Sequence, residues 1–234
     1  VTYKEAAGFF AEVDVTPYLG QLVVEEEPSA GFFSFLIKMC FAPPTLTDEL
    51  MAERERAFAI AKIKFDESEP MHFRILQSIF RRLSGSKGEV PRVGSHWQDV
   101  GFQGVDPATD LRAMGMLGPL QLLYLATFSS KSAARIYALS RDPVQEFPLA
   151  PVSIGLTKHA LSALRKGHLS KEIKKRNSVM AVLNEFYLGC FHEFYLRWRN
   201  GGKTMIDSGF FNKELEQYIL SGRHTNAILS RAVE

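Results

Sequence analysis

A polar, turn-rich stretch between two apolar segments contains the side chains best suited to chemistry in this sequence. They are Trp97, Gly101, Phe102, Gln103, Pro107, Asp110, Arg112 and Gly115. Turn residues are usually interchangeable, but an aromatic pair around Gly101 and a carboxylate two residues before Arg112 indicate a loop that holds a fixed shape. A guanidinium is always charged and carries donors in a rigid fork. We therefore expect this loop to present Arg112 to a partner protein.

The residue types alone leave two interpretations of Arg112 open. In the first, its charge stabilises phosphoryl transfer in a GTPase, which itself holds GTP, Mg²⁺ and the attacking water. The chain would then be a GTPase activator without an active site of its own, and whether it counts as an enzyme stays open. In the second interpretation, Arg112 pairs with Asp110 and only fixes the loop.

Other catalytic motifs are incomplete. Gly202-Lys203-Thr204 is similar to the end of a P-loop, but Arg197 stands where the leading glycine is needed, and a helix rather than a strand precedes it. His192-Glu193 lacks a second histidine four residues after the first, where Leu196 stands. The histidines never pair at metal-ligand spacing. We expect no metal site, no cofactor and no nucleotide bound by the chain itself.

The composition is typical of an ordinary globular protein. The 234 residues are 46% hydrophobic and 23% charged, with a net charge of +2, which is too weak to indicate nucleic-acid binding. The basic run at residues 171–176 lacks aromatic side chains that would stack on bases, so we interpret it as a solvated face. A weaker role in steering toward an acidic surface stays open. Cys40 and Cys190 lie in apolar runs, as reduced core thiols of a cytoplasmic protein do.

No segment is expected to span a membrane. Residues 114–128 are shorter than the roughly 20 apolar residues that a span requires, and they include Gly118 and Pro119. Residues 32–41 are apolar but interrupted by Lys38. We interpret them as a buried helix, with peripheral contact to a membrane as the alternative.

Apolar residues recur at helical spacing along nearly the whole chain. The predicted helices cover residues 3–13, 48–65, 70–84, 116–128, 132–140, 151–164, 178–199 and 212–220. The helix at 178–199 has a wide apolar arc and is expected to be central. The only β-branched run is at 22–24. We therefore predict an all-α fold with one multi-helix domain at 45–234, preceded by a short helical appendage at 1–44.

The loop resembles the signature of the ELMO (engulfment and cell motility) domain. The residues that carry the resemblance are Trp97, Gly101-Phe102-Gln103, Asp106-Pro107, Thr109-Asp110, Arg112 and Gly115. Further similarity lies in Glu146-Phe147-Pro148, in the aromatic helix around 186–198 and in residues 207–210, so the resemblance runs from about 46 to 220. Residues 10–18 are similar to the segment before the domain in one vertebrate branch of the family.

The resemblance implies an α-helical domain that activates Arf and Arf-like small GTPases in their GTP form. In the family the activating arginine lies in this motif and corresponds to Arg112, while the other motif residues shape the loop. Two positions depart from the family pattern, with Leu111 where phenylalanine is common and Ala113 where glycine is usual. If position 113 requires a positive φ, alanine strains the loop by about 1 kcal/mol or more; if it lies in a helix, alanine is harmless.

A second function follows from the same resemblance. Larger ELMO scaffolds do not activate GTPases but bind Dock-type exchange factors, so the chain could be a non-catalytic module that binds a small GTPase, an exchange factor or a cytoskeletal or ciliary assembly. Arg112 favours the activator and Ala113 favours the module. Either role implies a cytoplasmic protein, with association to cilia or the cytoskeleton expected from the resemblance alone.

Overall fold

A computed structural model of the protein describes residues 1–19 and 45–232. Its α-helices are α1 Tyr3–Glu12, α2 Thr16–Leu19, α3 Asp48–Ile60, α4 Pro70–Ser84, α5 His96–Asp99, α6 Leu117–Phe128, α7 Ser130–Ser140, α8 Leu149–Arg165, α9 Ser170–Arg176, α10 Val179–Asn200, α11 Ser208–Leu220 and α12 Thr225–Arg231. Two 3₁₀ turns, Pro107–Ala113 and Met205–Asp207, complete the regular structure. These ranges contain no strand, so the predicted all-α fold is confirmed.

Local sequence signals place the helix ends. The Thr47 hydroxyl accepts the amide of Leu50 at the start of α3, and the Glu69 carboxylate accepts the amide of Met71 at the start of α4, where Pro70 occupies the first helical position. Both satisfy donors that an N-terminus leaves without partners. Gly85, with φ of +73°, ends α4 in the left-handed conformation that glycine adopts without strain.

The helix α10 is the centre of the fold, as its wide apolar arc predicted. It packs against α12, α8 and α3, and its buried side chains include Phe186, Tyr187, Phe191, Phe194 and Trp198. A carboxylate of α3 holds its start, because Glu53 accepts the amides of Val179 and Met180 at 2.8 and 2.9 Å.

The first helix belongs to the main core. α1 packs on α6 and α4, and Phe10 is only 1% exposed. Arg56 of α3 donates to the carbonyls of Phe10 and Val13 at 3.1 and 2.9 Å. The division predicted at 44/45 falls at the edge of residues 20–44, so it stays a prediction. The β-branched run at 22–24, the apolar segment 32–41 and Cys40 also lie outside the described residues.

One helix is shorter than its apolar pattern predicted. α3 ends at Ile60, before Phe65, and in the chain that follows the carbonyl of Ile63 accepts the amide of Met116 at 2.9 Å. Among the described residues, no helix is both long and apolar enough to cross a bilayer.

Candidate interaction site around Arg112

The loop that carries Arg112 begins at a fully buried tryptophan. Trp97 has no exposed surface, and its indole N–H donates to the carbonyl of Arg92 at 3.1 Å. Its ring meets those of Phe80 and Phe102 edge to face, with centroids 5.5 and 5.6 Å apart. The amide of Phe102 donates back to the carbonyl of Trp97 at 3.1 Å. Aromatic edge contacts and satisfied donors fix this end of the loop on the core.

Gly101 lets the loop lie directly on the start of α8. Its φ is +84°, and a Cβ placed there would lie 2.7 Å from the backbone nitrogen of Leu149. The carbonyl of Gly101 accepts the amide of Ala150 at 3.1 Å. A residue with a side chain fits neither the backbone conformation nor the space.

The 3₁₀ turn Pro107–Ala113 is capped by Asp106, which Arg92 holds in place. Asp106 Oδ1 accepts both the amide of Ala108 at 2.8 Å and Arg92 Nη1 at 2.6 Å. Arg92 also lies 3.0 Å from Glu67 and stacks on the ring of Phe65, 4.6 Å from its centroid. Burial raises the pKa of Asp106, but the hydrogen bonds from Arg92 and Ala108, together with the charges of Arg92 and Arg112, outweigh it and lower that pKa below its ordinary value.

The far end of the turn is fixed by Leu111 and Gly115. Leu111 is 3% exposed and points into the core. Gly115 has φ of +46°, and a Cβ there would lie 2.5 Å from the carbonyl oxygen of Ile63. The turn is therefore anchored on both sides of Arg112, which is exposed between them.

Asp110 supports the loop rather than the arginine. Its Oδ2 accepts the amide of Gln103 at 2.7 Å, and burial raises the pKa of Asp110 above its ordinary value. No hydrogen bond or ion pair joins it to Arg112, so the structure lacks the pairing of Arg112 with Asp110 that the second interpretation expected. Geometry explains the difference, since the acidic side chain turns inward to a backbone donor while the guanidinium turns outward.

Arg112 makes no hydrogen bond and no ion pair within residues 1–19 and 45–232. Its neighbour Ala113 ends the 3₁₀ turn and is not among the residues with positive φ. The strain considered for alanine at this position does not arise. The whole guanidinium fork therefore remains available to a second molecule.

Arg112 lies on the wall of an open groove of about 790 Å³. Lys62 and Lys64 on the chain after α3, and Arg165 at the end of α8, line the same groove. Its apolar surface comes from Phe58, Phe65, Leu111, Met114 and Leu161, among others. A basic groove with an apolar floor therefore extends from the arginine.

The structure brings all the predicted motif residues into one folded loop. Trp97, Phe102 and Pro107 are buried, Gly101 and Gly115 make close approaches, and Gln103 contributes its backbone amide while its side chain is exposed. The sequence reasoning did not identify Arg92, Lys62 and Lys64. Only a lysine on each side of Ile63 could have suggested the basic groove.

Elsewhere in the described ranges, nothing suggests a second chemical centre. No group of His, Cys, Asp and Glu could hold a metal there. Cys190 is buried, and burial raises the pKa of its thiol, which disfavours the reactive thiolate.

Comparison with known proteins decides the family. The sequence pattern of the ELMO/CED-12 family matches residues 55–212, which include the whole Trp97–Gly115 loop. The chain belongs to the ELMO/CED-12 family. The resemblance to the ELMO domain predicted from the sequence is thereby confirmed, and the anchored loop lies inside the matched region.

Several curated ELMO proteins are similar over most of this chain. Human ELMO domain-containing protein 3 is 39% identical over 220 residues, which are 92% of this chain and 57% of that protein. Human ELMO domain-containing protein 2 is 28% identical over 202 residues, covering 83% and 67%. ELMO domain-containing protein B of Dictyostelium discoideum is 30% identical over 159 residues, covering 68% and 56%. The aligned part of the chain thus spans between 56% and 67% of the length of these curated relatives. No solved structure matches it.

Proposed function

We propose that this ELMO chain stimulates GTP hydrolysis by an Arf or Arf-like GTPase, with Arg112 as the arginine that enters the GTPase site. The observation that carries the proposal is the state of Arg112, whose guanidinium is exposed and unpaired on a turn fixed at both ends. An arginine with a purely structural role would form hydrogen bonds or ion pairs within the protein, as Arg92 does with Asp106 and Glu67.

The proposed mechanism needs little from the chain beyond this one side chain. The GTPase holds GTP, Mg²⁺ and the attacking water, and the arginine neutralises charge that develops on the transferring phosphoryl group. Such an arginine typically contributes about 10³ to 10⁵ in rate, which corresponds to about 4 to 7 kcal/mol. A fixed turn serves this role because donors that are already oriented need no reorganisation in the transition state.

The motif residues have separate roles in this proposal. Trp97, Phe102 and Pro107 tie the loop to the core, and Gly101 and Gly115 allow its close contacts with α8 and with the chain after α3. Asp110 holds the amide of Gln103. These residues position Arg112, while only Arg112 reaches the nucleotide.

A single-turnover hydrolysis assay tests the proposal on a panel of GTP-loaded Arf and Arf-like GTPases. Wild type is compared with Arg112→Lys, which keeps the charge and loses the fork, and with Arg223→Lys as a matched control, since Arg223 is exposed and distant in sequence. We expect Arg112→Lys to fold normally and to lose nearly all stimulation, while Arg223→Lys retains it.

Equal stimulation by wild type and Arg112→Lys would overturn the proposal. Binding of a GTPase without stimulation by wild type would also overturn it, and would leave the non-catalytic ELMO module as the function. Circular dichroism and thermal unfolding of each variant separate loss of the arginine from loss of the fold.

A further inference from the structure

The groove beside Arg112 has more positive charge than its surroundings neutralise. Its cationic side chains are Lys62, Lys64, Arg112 and Arg165, with Arg54 next to it on α3. Within the described residues, none of these side chains forms an ion pair. The acidic lining residue Asp106 is already bound to Arg92.

Several arginines elsewhere in the described residues do have carboxylate partners. Arg197 lies 2.6 Å from Glu193, and Arg176 pairs with Glu172 and Glu185. The groove is distinguished by collecting around one concave space four cations that have no ion-pair partners in the described ranges, Lys62, Lys64, Arg112 and Arg165. An uncompensated group of like charges costs stability unless a ligand of the opposite sign binds there.

Arg165 of the groove and the neighbouring Arg54 both pack on one ring. The guanidinium carbons of Arg54 and Arg165 lie 5.0 and 5.1 Å from the centroid of Phe58. The pKa of Arg54 lies below its ordinary value, first through burial and then through repulsion from Arg165. The fold thus keeps positive charges together rather than dispersing them.

The shape of the groove indicates which anion fits. Its cations come from the chain after α3, from the 3₁₀ turn and from the end of α8, so they surround a concave space that a protruding segment enters and a flat membrane only touches at the rim. Phe58 is 5% exposed, and Arg92 covers Phe65. Neither ring offers a bare face on which a nucleic-acid base could stack. Carboxylates with an apolar neighbour match both the charges and the floor.

We propose that this groove binds an acidic segment of the GTPase that Arg112 serves. This inference rests on the proposed function, because continuity with Arg112 identifies the partner. The groove sets the affinity and the association rate through Lys62, Lys64 and Arg165, whereas Arg112 sets the rate of hydrolysis. Charges around an interface act in this way, since they accelerate encounter and determine its dependence on salt.

Charge reversal of the two lysines tests the groove. Lys62 and Lys64 are exposed and hold no hydrogen bond or ion pair among the described residues, so Lys62→Glu with Lys64→Glu should leave the fold intact. Arg165 is left unchanged because it packs on Phe58. The control is Lys171→Glu with Lys174→Glu on α9, which makes the same change of charge on exposed residues outside the groove.

Binding is measured on the same panel of Arf and Arf-like GTPases, loaded with the slowly hydrolysed GTPγS, at low and high salt. Hydrolysis is measured at varied GTPase concentration, and vesicles containing anionic lipid serve as a second binding probe. We expect the groove variant to weaken GTPase binding by about 10-fold or more, mainly through slower association that depends less on salt. KM rises accordingly, and the control variant binds as wild type does.

The outcomes separate this inference from the proposed function. If Arg112→Lys loses stimulation while the groove variant binds as wild type does, the proposal that the groove binds the GTPase is overturned and the proposed GTPase activation stands. If the groove variant binds more weakly while Arg112→Lys stimulates fully, groove binding is supported and the proposed role of Arg112 in GTPase activation is overturned. Equal loss in the groove and α9 variants, loss of vesicle binding alone, or no binding to any GTPase of the panel overturns the groove.

Discussion

Asp110 accepts the backbone amide of Gln103 at 2.7 Å across the loop, and this bond directs the carboxylate away from the arginine two residues later. It joins the segment that follows Trp97 to the 3₁₀ turn that carries Arg112. One acidic residue therefore stabilises the shape of the loop while the neighbouring guanidinium stays free of internal partners. The residue that shapes the loop and the arginine proposed to reach the nucleotide are thus separated within three positions of the chain.

Removal of the Asp110 carboxylate should loosen the turn that carries Arg112 while leaving the arginine itself in the sequence. We expect Asp110→Ala to lower the free energy of unfolding by about 1 to 3 kcal/mol, because the amide of Gln103 loses a charged acceptor. Stimulation of a responsive GTPase should fall by about 10- to 100-fold, since misplacing a reacting group by about 1 Å can cost about 100-fold in rate.

Asp110→Asn is the matched variant, because its amide oxygen keeps an acceptor for Gln103. Urea denaturation and single-turnover hydrolysis should place it between wild type and Asp110→Ala. A wild-type rate and stability in Asp110→Ala would show that the bond to Gln103 does not position Arg112.

Arg92 should act on the turn from the other side. It joins Asp106 to Glu67 and covers Phe65, and a lysine cannot reproduce this two-sided contact. We expect Arg92→Lys to lower the free energy of unfolding by about 1 to 3 kcal/mol and to reduce kcat for GTPase stimulation more than it raises KM. The comparison is Arg141→Lys, since Arg141 is an exposed arginine that donates to the carbonyl of Gln98 at 3.3 Å. An effect on KM alone would contradict a positioning role for Arg92.

Gly115 should tolerate no side chain. Alanine there would combine a positive φ with a Cβ 2.5 Å from the Ile63 carbonyl and 2.8 Å from that of Ala61. We expect Gly115→Ala to cost about 3 kcal/mol or more in unfolding free energy. Gly104→Ala is the control for backbone strain alone, because Gly104 has φ of +78° but open space around its Cβ position. It should cost about 1 kcal/mol, and equal costs in thermal denaturation would show that the carbonyl contacts at Gly115 are unimportant.

The sequence predicted the long helices because their signals are local. The apolar arc of α10, the proline at the start of α4 and the glycine after it each act within a few residues of the chain. Short elements such as α12 were not predicted. Seven residues carry little periodic signal, and α12 exists because it packs on Gly189, where a Cβ would lie 1.9 Å from the Ile228 carbonyl.

The candidate site was also predictable from the sequence only in part, because some of its features are local and others depend on distant residues. Arg112 and its loop were visible as a compact motif, but its anchors come from remote segments, with Arg92 reaching Asp106 and Ile63 accepting Met116. The groove depends on Lys62, Lys64 and Arg165 meeting in space. A pairing between distant residues has no signature in one sequence, so only the coordinates reveal which arginine is structural and which is exposed.

Acid should destabilise the fold through His72. This side chain is 4% exposed, its Nδ1 accepts the amide of Asp66 at 3.1 Å, and its ring stacks on Phe10 of α1. Burial lowers the pKa of His72 below its ordinary 6.5, against the nearby Glu69 and Asp66, which raise it. The unfolded chain therefore binds a proton at a higher pH than the folded protein does. Stability is complete above about pH 6.5 and falls as the pH drops below it.

Urea denaturation between about pH 7 and pH 5 measures this loss. His159 and His168 are also buried enough to lower their pKa, so they should add to the slope. His72→Gln, whose amide oxygen can accept the same amide, should flatten the slope by up to about 1.4 kcal/mol per pH unit. Hydrogen exchange at the α1 amides should then respond less to acid than in wild type, because the stacked ring beneath Phe10 no longer gains a charge. An unchanged slope in His72→Gln would assign the acid sensitivity to the other histidines.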